Sequence, residues 1–210
     1  MQPIWLSWLV RSNNFKDENM NFRLTDTHVY FLGGYFSQWA HSPFSGAIPG
    51  LRYTSSGQQL HPVGTIRFSC CEQYMMAAKA MMFEDQETLL EIMDATHPGD
   101  MKRLGRKVKN FDVDVWNRHA RDVVYLGNFY KFTQHNGAKD FMDHTKDKIV
   151  VEGADYDKIW GVGIAWDDPQ IEDEASWQGT NWLGQCIMRV REDRSIHGDS
   201  INPWTLLRAW

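Results

Sequence analysis

Apolar side chains recur at helical spacing along most of the chain and predict six helices. The most apolar of them, residues 69–83, carries Met, Ala or Phe on nearly every face, and a helix of that kind is normally buried. Ser69 and Glu72 have the spacing of a capping box, which places the start of this helix at Ser69. The other five helices are predicted at residues 85–95, from Pro98 onward, and at residues 112–135, 138–145 and 180–193.

Shorter apolar runs predict three to five β-strands. Residues 28–39 begin as a strand and reach a sharp turn at a pair of glycines, and residues 148–153 contain another strand. Gly, Pro and Ser dominate residues 42–62, which predicts a loop with short strands. Because strands and helices do not alternate regularly, the pattern disfavours a doubly wound parallel sheet.

The length of the chain fits one domain with extra segments at both ends. The domain is expected at residues 28–192, with an N-terminal appendage at residues 1–27 and a C-terminal tail at residues 193–210. No apolar stretch approaches the ~20 residues of a membrane span, and no signal peptide is recognisable. Three Cys, two of them adjacent, do not form a disulfide framework. We therefore expect a soluble cytoplasmic protein with no membrane partner.

Charge excludes one class of function. The chain has 22 basic and 27 acidic residues and a net charge of −5, so it does not fit a general polyanion binder, and any phosphate site must be local. The only dense basic run, residues 101–109, includes Arg103 and Arg106 and could hold a phosphate. A solvated helix face explains this run equally well.

Two opposite charges lie in the most apolar helix. Glu72 and Lys79 are about 20° apart around the helix axis and roughly 10 Å apart along it, which is too far for the usual helical ion pair. Burial of a lone charge is costly unless it is paired or solvated, so both side chains are predicted to face a cleft. The alternative is that Glu72 only caps the helix and that Lys79 extends to the surface.

Acidic and aromatic residues cluster after the strand at residues 148–153. Glu152 ends the strand, Asp157 lies in a tight loop, and Trp160 precedes Gly161. Carboxylates at a strand end can act as general acid or base, and a Trp can stack on a base. The alternative is a solvated turn with a core Trp. A calcium loop is disfavoured because the segment lacks the Gly and the bidentate Glu of an EF-hand.

Gly, Thr and Asn181 precede the last helix, where free N–H groups can bind an anion. Most such segments are simply caps. The sequence contains no Gly-x-Gly-x-x-Gly, no P-loop, no His-Glu-x-x-His and no zinc spacing, so neither a cofactor nor a metal is predicted.

Six segments in order resemble the NADAR family, also called YbiA-like, over residues 29–192. Gln38, Gln73 and Ala77 depart from the family's usual Asn, His and Gln, and all three are expected to line the pocket. The segments that carry the resemblance are "YFSQWAHSPF", "CEQYMMAAKA", "MKRLGRKV" with the following Trp116, "LGNFYKFTQH", "IVVEGADYDKIWGVG" and "GTNWLGQCIMRVR".

The resemblance implies a compact, YbiA-like single domain of the α+β, mainly helical class with a small set of short strands. It also implies cleavage of an N-glycosidic bond between a ribose phosphate unit and a base or amine. One branch of the family is thought to act on riboflavin-biosynthesis intermediates, and another removes ADP-ribose from guanine. Carried onto this sequence, Glu72 is the carboxylate base or stabiliser, Asp157 is its partner and Glu152 supports the loop. Lys79 either forms a Schiff base with the opened sugar or holds a hydroxyl or phosphate.

The same resemblance implies the substrate-binding residues. Trp116 and Trp160 would stack on the base, whereas Arg103, Arg106 and the helix end at Asn181 would bind phosphate. The remaining residues that the motif match assigns to substrate binding are Gly34, Ser37 and Gly161.

Three functions follow as candidates from the resemblance. The first is an N-glycosidase on ribosylamino-pyrimidine phosphates, and the second is a hydrolase that removes ADP-ribose from guanine in nucleic acid. The third is a non-catalytic module that binds ADP-ribose or NAD. Because Glu72, Lys79, Asp157 and Trp160 are all present, the sequence favours an enzyme over a module, and the net charge mildly disfavours a large nucleic-acid footprint.

Overall fold

A small sheet brings together the start of the domain and a strand from its C-terminal half. The computed structural model describes residues 21–55 and 57–210. Strand β1 (Phe22–Leu24) pairs antiparallel with β2 (His28–Phe31), and β2 pairs parallel with β5 (Ile149–Glu152). Most of the predicted appendage lies outside the described residues, but β1 extends the sheet of the domain. The register sets Phe31 opposite Glu152, so β2 and β5 end together.

The described part of the chain also contains six α-helices, and the α+β, mainly helical fold class is confirmed. Asp85 and Asp112 cap two of the helices by accepting hydrogen bonds from backbone N–H groups of the first turn. The helices are α1 (Cys71–Met82), α2 (Gln86–Asp94), α3 (Pro98–Gly105), α4 (Val113–Gln134), α5 (Asn136–Thr145) and α6 (Trp182–His197).

Helix α1 is the centre of the core. All of its residues except Lys79 and Met81 are buried, as its apolar composition predicts. The predicted capping box at its start is wrong, because the helix begins at Cys71 and Glu72 accepts no capping bond there. The side chain of Gln73 accepts hydrogen bonds from the Ser69 N–H and hydroxyl instead, which leaves the Glu72 carboxyl available for other contacts.

A long hairpin replaces the loop predicted at residues 42–62. Strands β3 (Phe44–Thr54) and β4 (Gly57–Phe68) pair antiparallel, and the loop prediction is therefore wrong. Glycine serves two purposes in this segment. Gly57 has a φ of 113° where the hairpin turns, whereas Gly46 allows close packing, because a Cβ added there would lie 2.4 Å from the ring of Tyr130 on α4. Strand β3 therefore packs against α4, and it also contacts α1.

The C-terminal residues dock on α4. The indole of Trp204 donates a hydrogen bond to the Tyr130 hydroxyl (2.8 Å), and the indole of Trp210 donates to Asp122 (2.7 Å). Helix α6 also extends to His197, beyond the predicted end at residue 193. Within the described residues, no helix is long and apolar enough to cross a bilayer.

Candidate functional site

A cavity of about 630 Å³ opens where the β2 and β5 strand ends meet α1. Its walls are the loop at residues 32–41, the exposed side of α1, helix α3, the start of α4 and the turn after β5. The volume lies within the range of small-molecule sites. Nine of the residues singled out in the sequence line it, namely Gly34, Ser37, Glu72, Lys79, Arg106, Trp116, Glu152, Asp157 and Trp160.

Glu72 is a buried carboxyl on the α1 wall, with only 4% of the residue exposed. Burial raises its pKa from 4.5 to about 7 and outweighs the opposing effects of Lys102, Arg106 and a hydrogen bond from the Trp39 side chain. The negative charge of Asp157 raises the pKa further. Near neutral pH this carboxyl is therefore poised between its two protonation states, which suits general acid–base catalysis.

Glu152 is a second buried carboxyl in the same cavity. It ends β5, and its Oε2 atom is buried without a hydrogen-bond partner. Burial and the charge of Asp157 raise the pKa of Glu152 from 4.5 to about 8, and Lys102 only partly opposes them. At pH 7 this group carries a proton that it could donate. The sequence assigned Glu152 only a supporting role, because its burial beneath the following turn is a tertiary effect.

Lys79 is held between aromatic rings. Its Nζ atom lies 3.9 Å from the ring centroid of Phe111 and 5.5 Å from that of Trp116. Burial and the nearby Arg106 lower the pKa of Lys79, whereas the ring faces stabilise its ammonium form. The side chain therefore faces the cavity, and the alternative of a lysine that merely extends to the surface does not describe it.

Asp157 shapes the turn after β5. One carboxylate oxygen accepts hydrogen bonds from the backbone N–H groups of Ile159 (2.9 Å) and Trp160 (2.8 Å). The ring of Trp160 in turn packs edge-on against Trp182 at the start of α6. The contacts of Asp157 therefore order the turn, and its charge acts on Glu72 and Glu152 in the cavity.

Helix α3 supplies the positive charge of the cavity. Lys102 and Arg106 line it, one helical turn apart. Arg103, which the motif match assigned to phosphate binding, does not line it: its guanidinium points to solvent and pairs with Asp100 at 3.1 Å. The phase of α3 explains the difference, because position 102 lies closer than position 103 to the angle of position 106 around the helix.

Asn181 and Gly161 lie behind the cavity rather than in its wall. The Asn181 side chain donates to the Val150 carbonyl (2.9 Å) and accepts from the Glu152 N–H (3.1 Å). A Cβ at Gly161 would lie 2.9 Å from the Glu152 carbonyl oxygen. Both residues therefore fix the end of β5 that carries Glu152, and neither is placed to bind a phosphate.

Gly34 and Ser37 form part of the opposite wall. Gly34 has a φ of 67°, a left-handed conformation that favours glycine, and the Ser37 hydroxyl accepts a hydrogen bond from the Trp39 N–H (3.1 Å). The indole of Trp39 is 44% exposed and lines the cavity together with Tyr156, which is 73% exposed. Sequence reasoning gave no role to Trp39 and Tyr156, whose only signal was their presence within motif segments. Lys102 belongs to the basic run considered for phosphate binding, but the motif match did not assign it to the site.

The described residues contain no group of three or more His, Cys, Asp or Glu side chains that could hold a metal ion.

Comparison with known proteins identifies the family. The NADAR domain family model matches residues 29–194. The chain belongs to the NADAR family. The fold agrees with this membership: the NMR structure of the Escherichia coli protein YbiA superposes with a TM-score of 0.60 at 22% identity, covering 86% of this chain and 92% of that one. The resemblance stated from the motifs is confirmed.

Three relatives extend the comparison. N-glycosidase R617 of Acanthamoeba polyphaga mimivirus is 33% identical over 177 residues, which cover 80% of this chain and 97% of the relative. Protein irg-1 of Caenorhabditis elegans is 36% identical over 61% of each chain. N-glycosidase Npun_R5314 of Nostoc punctiforme is 26% identical over 58% of this chain and 71% of its own. On family membership and the two N-glycosidase names, this NADAR protein is an enzyme of the N-glycosidase class.

Proposed function

We propose that the enzyme hydrolyses the N-glycosidic bond between a ribose 5-phosphate unit and an amino-pyrimidine. The observation that carries the proposal is the composition of one cavity. Two buried carboxyls with raised pKa values, Glu72 and Glu152, share it with two cations, Lys102 and Arg106, and with several aromatic rings. Acid–base groups suit the bond that breaks, the cations suit a phosphate, and the rings suit a flat base.

Glu152 is the general acid of the proposal. Cleavage of an N-glycoside leaves electrons on the departing nitrogen, and the sugar develops oxocarbenium character as it does in O-glycoside hydrolysis. A proton from Glu152 neutralises that nitrogen as the bond breaks. The raised pKa of Glu152, about 8, keeps this proton in place at neutral pH.

Lys79 and Glu72 act on the sugar. In a ring-opened ribosylamine, C1 is doubly bonded to the nitrogen of the base. The neutral amine of Lys79 adds to C1 and passes one proton to that nitrogen, and Glu152 donates a second. The base then departs as a free amine, and a protonated imine joins the sugar to Lys79. The Glu72 carboxylate then accepts a proton from water as hydroxide adds to C1. The new hydroxyl gives its proton to the Lys79 nitrogen, and the C1–N bond breaks to release the sugar phosphate as an aldehyde and free Lys79. Burial lowers the pKa of Lys79, and this makes the neutral amine more available than it would be in solvent.

A second candidate substrate is ADP-ribose attached to guanine in nucleic acid. Exposed Trp39 and Tyr156 lie at the cavity together with exposed Arg106, and such a rim could stack on a base or contact a second phosphate. The ribosyl bond would be cleaved by the same carboxyls. The two candidate substrates therefore differ in the part of the molecule that would extend beyond the cavity.

A turnover panel distinguishes them. Purified enzyme is offered ribosylamino-pyrimidine 5-phosphates and DNA that carries ADP-ribosylated guanosine, and the released sugar phosphate or ADP-ribose is quantified. We expect turnover of the first set, abolished by Glu72→Gln and unchanged by Glu192→Gln, which alters an exposed carboxylate on α6. Turnover of the DNA alone would favour the second candidate, and turnover of neither would overturn the proposal.

Borohydride reduction tests the role of Lys79. During turnover the reagent should trap the imine as a stable adduct on Lys79, detectable by mass spectrometry of the intact protein and its peptides. Lys79→Ala should abolish the adduct, whereas Lys107→Ala, a change of an exposed lysine outside the cavity, should not. Turnover without any trapped adduct would exclude the Schiff-base route.

A further inference from the structure

Two buried oxygen atoms in the cavity wall lack hydrogen-bond partners among the described residues. One is Oε2 of Glu152, which the proposed mechanism uses, and the other is Oε1 of Gln38, which it does not. A buried polar atom without a partner costs stability, so native structures rarely leave one without a reason. Oε1 of Gln38 is therefore available to accept a hydrogen bond from a donor group of a bound ligand.

The orientation of the Gln38 amide follows from its neighbours. The Asn128 side chain donates to the Val124 carbonyl (2.8 Å), so its own oxygen is free to accept. That oxygen accepts a hydrogen bond from Nε2 of Gln38 (3.2 Å). Because the nitrogen of the Gln38 amide must face Asn128, its oxygen is directed away from Asn128, and the residue lines the cavity.

The loop that carries Gln38 is also fixed in place. The buried Nζ of Lys131 donates to the carbonyls of Tyr35 (2.8 Å) and Ser37 (3.3 Å). At the other end, the Gln38 carbonyl accepts a hydrogen bond from the backbone N–H of Glu72 (2.9 Å). These bonds hold the backbone of Gln38 against the start of α1, and the bond to Asn128 holds its side-chain amide. Gln38 and Glu72 therefore line the same part of the cavity from fixed positions.

We infer that Oε1 of Gln38 accepts a hydrogen bond from the 2-hydroxyl of the substrate's sugar. The inference rests on the proposed function, in which Glu72 works at the anomeric carbon. The hydroxyl next to that carbon is the 2-hydroxyl, and in glycoside cleavage hydrogen bonds to it strengthen in the transition state. Gln38 therefore makes the site selective for ribose over 2-deoxyribose.

Calorimetric titration with the two sugar phosphates tests this selectivity without requiring turnover. Ribose 5-phosphate and 2-deoxyribose 5-phosphate are titrated into wild-type enzyme, Gln38→Met and Asn128→Leu. We expect wild type to bind ribose 5-phosphate about three- to tenfold more tightly, the ratio that one net hydrogen bond provides. Gln38→Met, which keeps the shape of the side chain but lacks the acceptor, should bring the ratio close to one.

Asn128→Leu should lower the ratio as well, because it removes the group that orients the amide. A purely structural role for Gln38 would instead weaken both sugars equally and leave the ratio unchanged, and that result would overturn the inference while leaving the proposed function in place. If wild type binds neither sugar phosphate and turns over no ribosylamine, the proposed function itself fails and the inference fails with it.

Discussion

At the scale of single residues, the chemistry of the cavity comes from burial more than from residue identity. Glu72 and Glu152 are ordinary carboxyls whose pKa values are raised chiefly because water is excluded from them. The same burial lowers the pKa of Lys79, because the charged form of an amine is its protonated form. The same buried environment therefore favours protonated carboxyl groups and a neutral amine.

Glu72→Gln is predicted to lower kcat/KM by about 100-fold or more, the usual contribution of a general base. The amide keeps the shape of the side chain but cannot accept the proton, so the loss should come without a change in the near-UV circular dichroism spectrum. Activity of the wild type should rise with pH through about 7 as Glu72 ionises. That limb of the pH–rate profile should be missing from the residual activity of the variant.

Retention of more than about a tenth of wild-type activity by Glu72→Gln would assign the base to another group. Asp157 would then be the next candidate, because it shares the cavity and interacts electrostatically with both buried carboxyls.

At the scale of elements, the helices could be predicted from the sequence and the hairpin could not. The apolar pattern placed α1, α2 and α4 within two residues of their observed ends, because burial on one face or all faces leaves a periodic signal. Strands β3 and β4 contain glycines and prolines that ordinarily indicate loops. Position 46 requires glycine because the ring of Tyr130 packs against it. Tyr130 is more than 80 positions away in the sequence, so no local pattern contains that information.

The residues of the site also differ in whether they could be predicted from the sequence. Glu72 and Lys79 could be predicted, because their shared face follows from helical geometry within one element. The placement of Lys102 instead of Arg103 depends on which side of α3 is buried, and only Met101, Leu104 and Gly105 in the folded helix define that side. The unusual environment of Glu152 required knowledge of the turn that covers β5.

Asn181→Ala is predicted to lower the free energy of unfolding by about 2–4 kcal/mol. The change removes two buried hydrogen bonds to β5 and places alanine at a φ of 52°, which is unfavourable for a residue with a Cβ. Asn181→Gly should lose less, since glycine adopts this φ without strain. Urea denaturation of both variants provides the measurement.

The matched change on the same helix is Gln185→Ala, which removes an exposed hydrogen bond to the Thr180 carbonyl and should cost under about 0.5 kcal/mol. A loss for Asn181→Ala no larger than that of Gln185→Ala would show that Asn181 does not hold the end of β5.

At the scale of the whole molecule, the buried carboxyls couple stability to pH. The pKa of Glu152 is about 8 in the folded state against an ordinary 4.5, so between these values the folded state holds a proton that the unfolded state has released. The free energy of unfolding contributed by this group therefore falls as pH rises through the window. Glu72 adds a similar effect up to about pH 7.

Between pH 6.5 and pH 8, Glu152→Gln should gain stability relative to wild type by roughly 1 kcal/mol per pH unit, since a full proton difference corresponds to about 1.4 kcal/mol per unit. Urea denaturation across this range gives the difference at each pH. Glu192→Gln, at an exposed position, should run parallel to wild type. If Glu152→Gln also runs parallel, the carboxyl is not protonated in the folded enzyme.

The buried carboxyls also alter how the protein behaves as a macroion. The net charge of −5 counts every carboxyl as ionised, yet near pH 7 Glu152 holds most of a proton and Glu72 about half of one. These two groups therefore make the folded enzyme less negative near pH 7 than its sequence indicates. Unfolding in weakly buffered solution at neutral pH releases these protons and acidifies the medium.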